Sequence, residues 1–415
     1  MNIGCLSINA PTGVGFEMRW IMDQVSNDHS TFFLSVPDGR FSAPSSWDNI
    51  DNQVTFQRFI PIISAIIWVV KNKIDIVICK QEQFNDSLLK VFNILGIKTI
   101  VSVDLEDFDY QNDKWNFCDL FICPTKHSYD YLEEKGFTQK ILSYMGLDST
   151  YFKFIERKKN ESMLYLHTAG HGGVGFRKST PETVLAFELA SRLNSNIKLL
   201  ILSQISLGKY PLNIQKIIKN NDRIEFRNTR DKNNIEKYKE NFSLYLEGDI
   251  AIQPSKWEGM GASIYEALMM GLPVLTTNYP PMNEYVNNSR GFLISPENYK
   301  NLCKYNKVLN KDYMMASVNV GTLAKEILMT SKINSLKEKT NNARKFMEAF
   351  DWNNVSEDWS NSFKLLKRED SAMNLSFFNI WFLLYTILYE CLFYIPFMNL
   401  KNGVKFFLRS KIGSL

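Results

Sequence analysis

Two glutamates, Glu258 and Glu266, lie in a stretch whose residue types could bind a sugar that is attached to a phosphate. Glycines follow the first glutamate, in the run Glu-Gly-Met-Gly-Ala, and the second lies in a helix-forming segment. Ionised carboxylates accept hydrogen bonds from hydroxyl groups, whereas glycine turns and helix N-termini hold anions with backbone N–H groups. The spacing places Glu258 on a turn and Glu266 about two helical turns beyond it. One carboxylate can then contact a sugar and the other a ribose.

The segments on either side of these glutamates predict a strand–turn–helix–strand unit. Residues 249–255, Asp-Ile-Ala-Ile-Gln-Pro-Ser, are typical of a short buried strand that ends at a proline. Residues 271–277, Gly-Leu-Pro-Val-Leu-Thr-Thr, predict a turn and the next strand. Such a unit places the turn and the helix N-terminus at the carboxyl edge of a parallel sheet, where ligands bind. The alternative is an ordinary βαβ unit with two solvent-facing glutamates.

Residues 249–284 as a whole resemble the donor-sugar signature of glycosyltransferase family 4. That signature has two glutamates separated by seven residues, within a strand, E-G-x-G, helix and G-x-P-V context. The resemblance implies an α/β protein of the GT-B fold, in which two Rossmann-like, doubly wound domains face a cleft. It also implies a retaining, metal-independent transfer that needs no cofactor besides the nucleotide-sugar donor. UDP is the commonest nucleotide in such a family.

The same resemblance assigns roles to individual residues. Glu258 would contact the donor sugar, and Glu266 would bind the ribose of the nucleotide. A nucleotide diphosphate is already a good leaving group, so neither glutamate is expected to protonate it as a glycosidase carboxyl would. The backbone of four consecutive residues would hold the sugar and the phosphates: Gly259, Met260, Gly261 and Ala262.

Positive charge for the leaving diphosphate could come from Arg177 and Lys178, which follow a glycine-rich run. In the family an arginine and a lysine stabilise the departing diphosphate, and such cations can stabilise charge that develops in the transition state. Here the two cations are adjacent and Ser179 replaces a glycine, so Lys178 matches the family pattern better than Arg177. Gly13 and Gly15 resemble the glycine loop of the first domain that faces the donor phosphate. A solvated helix start and an ordinary tight turn are the alternatives.

Many family members carry a histidine near the reacting sugar carbon, after the fourth strand of the first domain. The equivalent run in this chain, residues 101–109, has no histidine. Asp104 or Glu106 could take that place and contact the donor or the acceptor sugar. His127 and His171 are expected to be structural.

No metal site is predicted. Residues 107–109, Asp-Phe-Asp, match the D-x-D motif of the GT-A fold, but that motif is common by chance and nothing else in the chain supports it. The six cysteines form no C-x-x-C pair, which argues against zinc. The first residues predict a strand rather than a signal peptide, so reduced thiols and a cytoplasmic location are expected.

Length and composition predict a two-domain globular protein. The chain has 415 residues, of which 45% are hydrophobic and 22% are charged. Its net charge of +4 is small and argues against nucleic acid as a partner.

Strand and helix patterns alternate along most of the chain, which predicts parallel sheets. The first domain, on the acceptor side, is placed at 1–150 and the nucleotide-sugar domain at 160–345. A helix crossing back to the first domain is placed at 346–370, and a membrane-associated helical tail at 371–415. Strands are predicted at 3–8, 31–36, 74–79, 98–103, 120–123, 163–168, 197–202, 223–226, 250–253 and 273–276. Helices are predicted at 17–26, at 59–70 as an apolar, buried helix with membrane docking as the alternative, and at 181–193 with Thr180 as N-cap.

The tail contains an apolar stretch, residues 377–398, which as a helix would be about 33 Å long. It contains Glu390, whose insertion at a bilayer centre costs about 2.5–3.5 kcal/mol. Basic residues flank it on both sides, without the asymmetry that a spanning helix shows. A helix lying at the cytoplasmic face of a membrane, with contact through residues 377–411, is therefore favoured. A spanning helix and a helix packed on protein are the alternatives.

The leading hypothesis is a retaining hexosyltransferase that moves a sugar from a nucleotide sugar to a glycan or lipid-linked acceptor. A GT-B-fold epimerase or phosphorylase is the second enzyme hypothesis, although no clear acid/base residue or cofactor lysine is found for either. A degenerate glycan-binding protein is the non-enzymatic alternative. Glu258, Glu266 and Lys178 argue against it, whereas the missing histidine favours it.

Overall fold

Two parallel sheets follow one another along the chain, and the last two helices that the structure describes pack against the first half. The computed structural model describes residues 1–8, 13–36, 53–55, 60–80, 85–149, 152–155, 160–171, 176–229, 241–302, 310–366 and 377–393. All strand pairs within the two sheets are parallel. The predicted fold class, two Rossmann-like α/β sheets with an apolar C-terminal helix, is confirmed.

The first sheet has seven strands in the order β3-β2-β1-β4-β5-β6-β7. Strand order reverses between β1 and β4, so the crevice at their carboxyl ends is where a doubly wound sheet binds ligands. The strands are β1 Asn2–Ile8, β2 Ser30–Val36, β3 Gln53–Thr55, β4 Ile76–Lys80, β5 Lys98–Ser102, β6 Leu120–Cys123 and β7 Lys140–Leu142. The helices are α1 Gly13–Val25, α2 Ile62–Lys71, α3 Leu88–Ile94 and α4 Lys126–Glu134.

The second sheet has six strands in the order β10-β9-β8-β11-β12-β13, and its order reverses between β8 and β11. A separate antiparallel pair, β14 with β15, follows it. The strands are β8 Met163–Gly170, β9 Ile197–Ser203, β10 Ile224–Asn228, β11 Ile250–Gln253, β12 Val274–Thr277, β13 Gly291–Ile294, β14 Asn298–Asn301 and β15 Met314–Ser317. The helices are α5 Thr180–Leu193, α6 Leu212–Asn220, α7 Ala262–Met269, α8 Met282–Tyr285, α9 Val320–Thr330 and α10 Lys337–Glu348.

Each sheet is buried on both faces, which is why its strands read as nearly continuous apolar runs. In the first half, α2, α3 and α4 cover one face, and α1 covers the other. In the second half, α5, α6 and α9 cover one face and α7 and α10 the other. Strands β4 and β11 are buried along their whole length, so the loops at their carboxyl ends are anchored to rigid elements.

Helix α11, Trp352–Leu365, begins at Asp351, whose side chain caps it by accepting from the backbone N–H of Asn353. Its buried side chains Trp359 and Phe363 join the core around α1 and the first sheet. The chain therefore crosses back onto the first half after α10. The core of the first half depends on residues more than 300 positions downstream.

Helix α12, Phe377–Phe393, covers part of the apolar run at 377–398, and residues 394–398 lie outside the described ranges. Phe382, Leu383 and Ile387 pack against the core of the first half, and α12 contacts α2. The helix predicted to be buried at 59–70 is only partly buried, since Ile67 and Val70 of α2 are 59% and 65% exposed. Among the described residues, no helix is both long and apolar enough to cross a bilayer.

Two predicted helix starts also differ from the structure. Helix α5 begins at Thr180, and the preceding Ser179 has a left-handed backbone (φ 53°) and makes no side-chain cap. Thr180 is therefore not the N-cap, because its hydroxyl contacts His167 instead. Helix α1 begins at Gly13 rather than at residue 17, so Gly13 and Gly15 lie in its first turn.

Candidate active site

The loop after β11 carries Glu258 into the interior of the protein. Strand β11 ends at Gln253, and α7 begins at Ala262 after Gly261, whose left-handed backbone (φ 85°) favours glycine. The side chain of Glu258 is only 2% exposed. A buried carboxylate needs charged or hydrogen-bonding partners, and this loop lies where the second sheet reverses its strand order.

Two cations and one hydroxyl surround the Glu258 carboxylate. Lys178 Nζ lies 2.6 Å from Oε1, and Arg177 Nη1 lies 3.0 Å from Oε2. The Ser255 hydroxyl donates to Oε1 at 2.6 Å. Burial opposes ionisation, but the neighbouring Arg177 and Lys178 outweigh it and hold the pKa of Glu258 below its usual value. Burial lowers the pKa of Lys178, and the charge of Glu258 partly opposes that shift. The site therefore contains an ionised carboxylate between two basic side chains.

Lys256 positions the turn that presents both cations. Its backbone N–H donates to Arg177 O at 2.8 Å, and its Nζ donates to Phe176 O at 2.8 Å. The same Nζ lies 2.7 Å from Glu182 Oε1, on the first turn of α5. The loop after β11 thus holds the start of α5 in place, and with it the Arg177 and Lys178 side chains.

Helix α7 places Glu266 near the same cations. Lys178 Nζ donates to Ser263 Oγ at 3.0 Å on the first turn of α7, and Glu266 lies one turn further along. The Tyr245 hydroxyl donates to Glu266 Oε2 at 2.6 Å. Burial raises the pKa of Glu266, and the Tyr245 hydrogen bond and the charge of Lys178 partly oppose that shift. Glu266, which is predicted to bind the ribose, is thus oriented by Tyr245, a residue that sequence reasoning missed.

Replacing Glu266 by alanine should weaken UDP binding by about 1.5–3 kcal/mol, because hydrogen bonds to a charged group are lost. Tyr245→Phe should weaken it by about 1 kcal/mol, since the carboxylate stays but loses its orienting partner. Isothermal titration with UDP measures both changes. Equal UDP affinity in the wild type and in Glu266→Ala would remove Glu266 from the nucleotide site.

Two acidic residues of the first half reach the same site. Asp104 follows β5 and lies against Gly259, where an added Cβ would come within 3.0 Å of its Oδ1. Glu106 lies in the short 3₁₀ turn that follows, and its Oε1 is 3.7 Å from Arg177 Nη1. Both residues predicted to replace the missing histidine therefore line the boundary between the two halves. Gly13 and Gly15 begin α1 at the carboxyl side of β1, but residues 9–12 lie outside the described ranges.

A buried lysine that sequence reasoning missed stands behind Asp104. Lys80 is the last residue of β4, and its Nζ lies 2.7 Å from Glu17 Oε1 and 3.4 Å from Asp104 Oδ2. Burial would lower its pKa, but the charges of Asp104 and Glu17 outweigh burial and raise it. The sequence did contain a signal for this residue, because Lys80 ends a strand that is otherwise apolar.

The short segment that leads into β15, residues 310–313, joins the two halves across the site. Asn310, which is fully buried, donates from Nδ2 to Leu105 O at 2.8 Å and from its backbone N–H to Glu106 O at 3.2 Å. The Tyr313 hydroxyl donates to Glu258 O at 2.8 Å. The loop of Glu258 and the loop of Glu106 are thereby fixed relative to each other.

The described residues contain no group of three or more histidine, cysteine, aspartate or glutamate side chains that could hold a metal ion. Asp107 ends the 3₁₀ turn that also carries Glu106. His127 packs beside Tyr279 and Tyr313, with ring centroids 6.4 and 6.0 Å away. His171 follows β8, immediately before residues 172–175, which the structure does not describe.

His167 is fully buried beneath the cations. Its Nδ1 lies 2.8 Å from Ile252 O, a carbonyl that can only accept, so Nδ1 carries the proton. Its Nε2 then accepts from the Thr180 hydroxyl at 2.8 Å. Burial lowers the pKa of His167 to about 4. The ring is a neutral structural link between β8, β11 and α5.

The folded protein should lose stability at acidic pH because His167 is buried as a neutral ring. Because its folded pKa is lower than its unfolded value, its contribution is complete above about pH 6.5 and is lost as the pH falls towards about 4. The loss should be about 3 kcal/mol. Denaturant unfolding at pH 7 and pH 4.5 should show a smaller pH effect in His167→Gln than in the wild type. An equal effect in both would contradict this assignment.

Comparison with known protein families finds a match in the second half of the chain. Residues 173–318 match the family described as glycosyl transferases group 1, and this range includes Arg177, Lys178, Glu258 and Glu266. No curated protein sequence matches the chain. The matched range ends just after β15 and contains the cation–carboxylate cluster of the second half.

Three solved structures are similar over most of their length. A glycosyltransferase from Rickettsia africae has a TM-score of 0.67 at 14% identity, covering 89% of this chain and 99% of its own. HepE from Anabaena, in complex with UDP and glucose, has a TM-score of 0.61 at 15% identity, covering 88% and 99%. The pneumococcal O-GlcNAc transferase GtfA, in complex with UDP and GlcNAc, has a TM-score of 0.63 at 12% identity, covering 88% and 99%.

At these identities the structural likeness establishes the fold, and the family match establishes the kind of domain. The sugar-nucleotide signature of the sequence lies inside the matched range, on a loop and helix at the carboxyl edge of the second sheet. The chain is a glycosyltransferase of the GT-B fold that carries a glycosyl transferases group 1 domain.

Proposed function

We propose that this chain is a retaining, metal-independent transferase that moves a hexose from a UDP-sugar to a glycan or lipid-linked acceptor. The arrangement of Arg177 and Lys178 around buried Glu258 is the observation that supports it. In the cleft, a diphosphate would take hydrogen bonds from these two cations, which now contact the carboxylate. Glu258 would then be able to accept hydrogen bonds from sugar hydroxyls, and Glu266 could accept them from the ribose hydroxyls.

The cations supply what a metal ion supplies elsewhere. As the C1–O bond of the donor breaks, negative charge grows on the departing diphosphate, and fixed positive groups in a dry site stabilise it. Burial opposes the charge of Arg177, but the neighbouring carboxyl groups, led by Glu258, outweigh burial and raise its pKa. The acceptor hydroxyl would attack C1 from the face that the diphosphate leaves, which gives retention. Its proton would pass to a phosphate oxygen.

The likeness to HepE, solved with UDP and UDP-glucose, and to GtfA, solved with UDP and GlcNAc, supports the proposal of UDP. The family resemblance supports retention. The glycan or lipid-linked acceptor is the common acceptor class for such a donor, and Asp104 and Glu106 are positioned to contact it or the donor sugar.

A panel of nucleotide sugars tests the function. The enzyme should release UDP from at least one UDP-hexose faster than buffer alone, with equal rates in EDTA and in Mg²⁺. NMR of the transferred sugar should show the donor's anomeric configuration. Loss of activity in EDTA that Mn²⁺ restores would contradict the metal-free mechanism. Conversion of the free nucleotide sugar to its epimer would identify an epimerase instead.

We also propose that α2 and α12 together contact an anionic membrane at its cytoplasmic face. Their outer faces carry eight exposed large apolar side chains, whereas monomeric surfaces rarely group so many. These side chains are Ile63, Ile67, Val70, Ile380, Trp381, Leu384, Tyr385 and Leu388. Residues 391–415 contain four basic side chains and no acidic one, and each can add about 1 kcal/mol near an anionic surface.

Co-sedimentation with vesicles of phosphatidylcholine and phosphatidylserine tests this surface. The double variant Leu384→Glu, Leu388→Glu should bind at least about 10-fold more weakly than the wild type, since two exposed apolar contacts become anionic. Leu193→Glu with Leu212→Glu, on leucines that are 78% and 75% exposed in the second half, is the matched control and should bind normally. Equal vesicle binding by both variants would exclude the α2–α12 surface.

A further inference from the structure

Three carboxyl groups from two separate loops line the side of the cleft where a donor sugar would lie. Glu258 comes from the second half, and Asp104 and Glu106 come from the loop after β5 in the first half. Asp104 lies against Gly259, the residue after Glu258, and Glu106 lies 3.7 Å from Arg177. A sugar held by Glu258 and the Gly259 backbone would therefore have Asp104 beside it.

Lys80 holds the Asp104 side chain at the cleft, but it is too deeply buried to contact a ligand itself. Lys80 is 2% exposed and is enclosed between Asp104 and Glu17. Glu17 is fixed in turn, because Ser102 Oγ donates to its Oε1 at 3.2 Å. The Asp104 side chain is 16% exposed and is the member of this triad nearest to solvent. Lys80 is therefore a positioning residue that acts through Asp104.

Glu106 differs from Asp104 in its surroundings. Its Oε2 is buried and has no hydrogen-bond partner within the described part of the chain. Asn310 fixes its backbone, and burial raises its pKa to about 8 although Arg177 opposes that shift. At neutral pH the group is therefore mostly a neutral carboxylic acid, which can donate to a sugar oxygen and adds no charge.

The cations at this site have other partners. Lys80 is paired inside the first half, and Arg177 and Lys178 would hold the diphosphate once a donor binds. A carboxylate on the donor sugar would then face Asp104 and Glu258 without a positive partner among the described residues. Hydroxyl groups would instead find two acceptors of hydrogen bonds and one donor.

We propose that the donor sugar is an uncharged, hydroxyl-rich hexose and that Asp104, held by Lys80, rejects sugars that carry a carboxylate. This inference rests on the proposed function, because it needs the diphosphate to occupy Arg177 and Lys178. Like charges about 5 Å apart at an effective dielectric constant of about 20 repel strongly enough for discrimination on the order of 100-fold.

The test compares UDP, UDP-glucose and UDP-glucuronate in equilibrium binding to the full chain. Wild-type protein should bind UDP-glucose on the order of 100-fold more tightly than UDP-glucuronate. Asp104→Asn keeps the shape and removes the charge, so this ratio should fall at least about 10-fold while UDP affinity stays within about threefold. Asp119→Asn is the matched control. It alters the Lys98–Asp119 pair, 2.8 Å apart at the opposite edge of the same sheet, and should leave the ratio unchanged.

The outcomes separate this inference from the proposed function. Failure of the wild type to bind UDP would refute the proposed donor nucleotide, and this inference with it. Normal UDP binding with a glucose-to-glucuronate ratio below about 5 would overturn the inference alone. A ratio that is unchanged in Asp104→Asn, with UDP binding and thermal stability intact, would show that Asp104 is not the selecting group.

Discussion

Lys178→Met should lower the turnover number about 100- to 1,000-fold. This is the largest loss of activity that we expect from replacing one residue by another of similar size. The variant loses the cation that lies 2.6 Å from Glu258 and that we assign to the departing diphosphate. It also leaves the buried Glu258 carboxylate with Arg177 as its cationic partner. Charge stabilisation is needed most in the transition state, so kcat should fall more than UDP affinity. Steady-state kinetics with the active UDP-sugar and titration with UDP measure the two effects separately.

Lys198→Met is the matched control, because Lys198 lies exposed on β9 of the same half and should leave kcat within about twofold. Lys178→Arg should recover part of the activity, since it restores the charge with a different geometry. A Lys178→Met protein that binds UDP and turns over at the wild-type rate would remove Lys178 from the reaction. The proposed mechanism would then need another source of positive charge.

Much of the second half could be predicted from local sequence. β11 and the loop to α7 form one continuous stretch, and its strand, glycine turn and helix signals all agree. The family resemblance assigned Glu258 and Lys178 to one donor site, but it did not predict their direct contact, which spans 80 residues. The predicted strands match the observed ones to within about two residues, since buried parallel strands have a strong apolar pattern.

The supporting residues could not be predicted in this way. Asn310 and Leu105 are 205 positions apart, and their contact depends on how β14–β15 folds back across the cleft. Lys80 meets Glu17 because β4 and α1 come together only through the strand order of the sheet. Tyr245 lies in a 3₁₀ segment, and only the fold places its hydroxyl on Glu266. Periodicity describes which face of an element is apolar, not which distant polar atom it meets.

The exposed face of α2 could not be predicted for a similar reason, because it depends on contacts between distant segments. A ten-residue helix that is apolar except for Ser64 and Lys71 is expected to be buried, yet Ile67 and Val70 are exposed because α12 covers only part of it. Helix propensity and hydrophobicity could not show where α2 would lie against the sheet, or which part of its surface would stay exposed. That information enters through residues that are about 300 positions downstream.

Lys80→Met should destabilise the folded protein by about 3–5 kcal/mol, because it leaves Glu17 and Asp104 facing each other in the interior without their cation. The ion-pair distances of 2.7 and 3.4 Å and the 2% exposure of Lys80 place the whole triad out of water. Burial already raises the pKa of Glu17, and the charge of Lys80 opposes that rise. Without Lys80, the pKa of Glu17 should rise further, because burial is then no longer opposed by that charge. Denaturant unfolding of the full chain measures the loss.

The triple variant Lys80→Met, Glu17→Gln, Asp104→Asn distinguishes a charge effect from a packing effect. Removing both carboxylate charges together with the lysine leaves no unpaired buried ion, and replacement of complete buried ion clusters is often close to neutral. At least half of the stability lost in Lys80→Met should therefore return. Lys98→Met, at the opposite edge of the sheet with a lysine that is 35% exposed, should cost no more than about 1 kcal/mol. If the triple variant were as unstable as Lys80→Met, the lysine would act through its packed methylene chain, and Asp104 would need no charged partner to keep its place in the cleft.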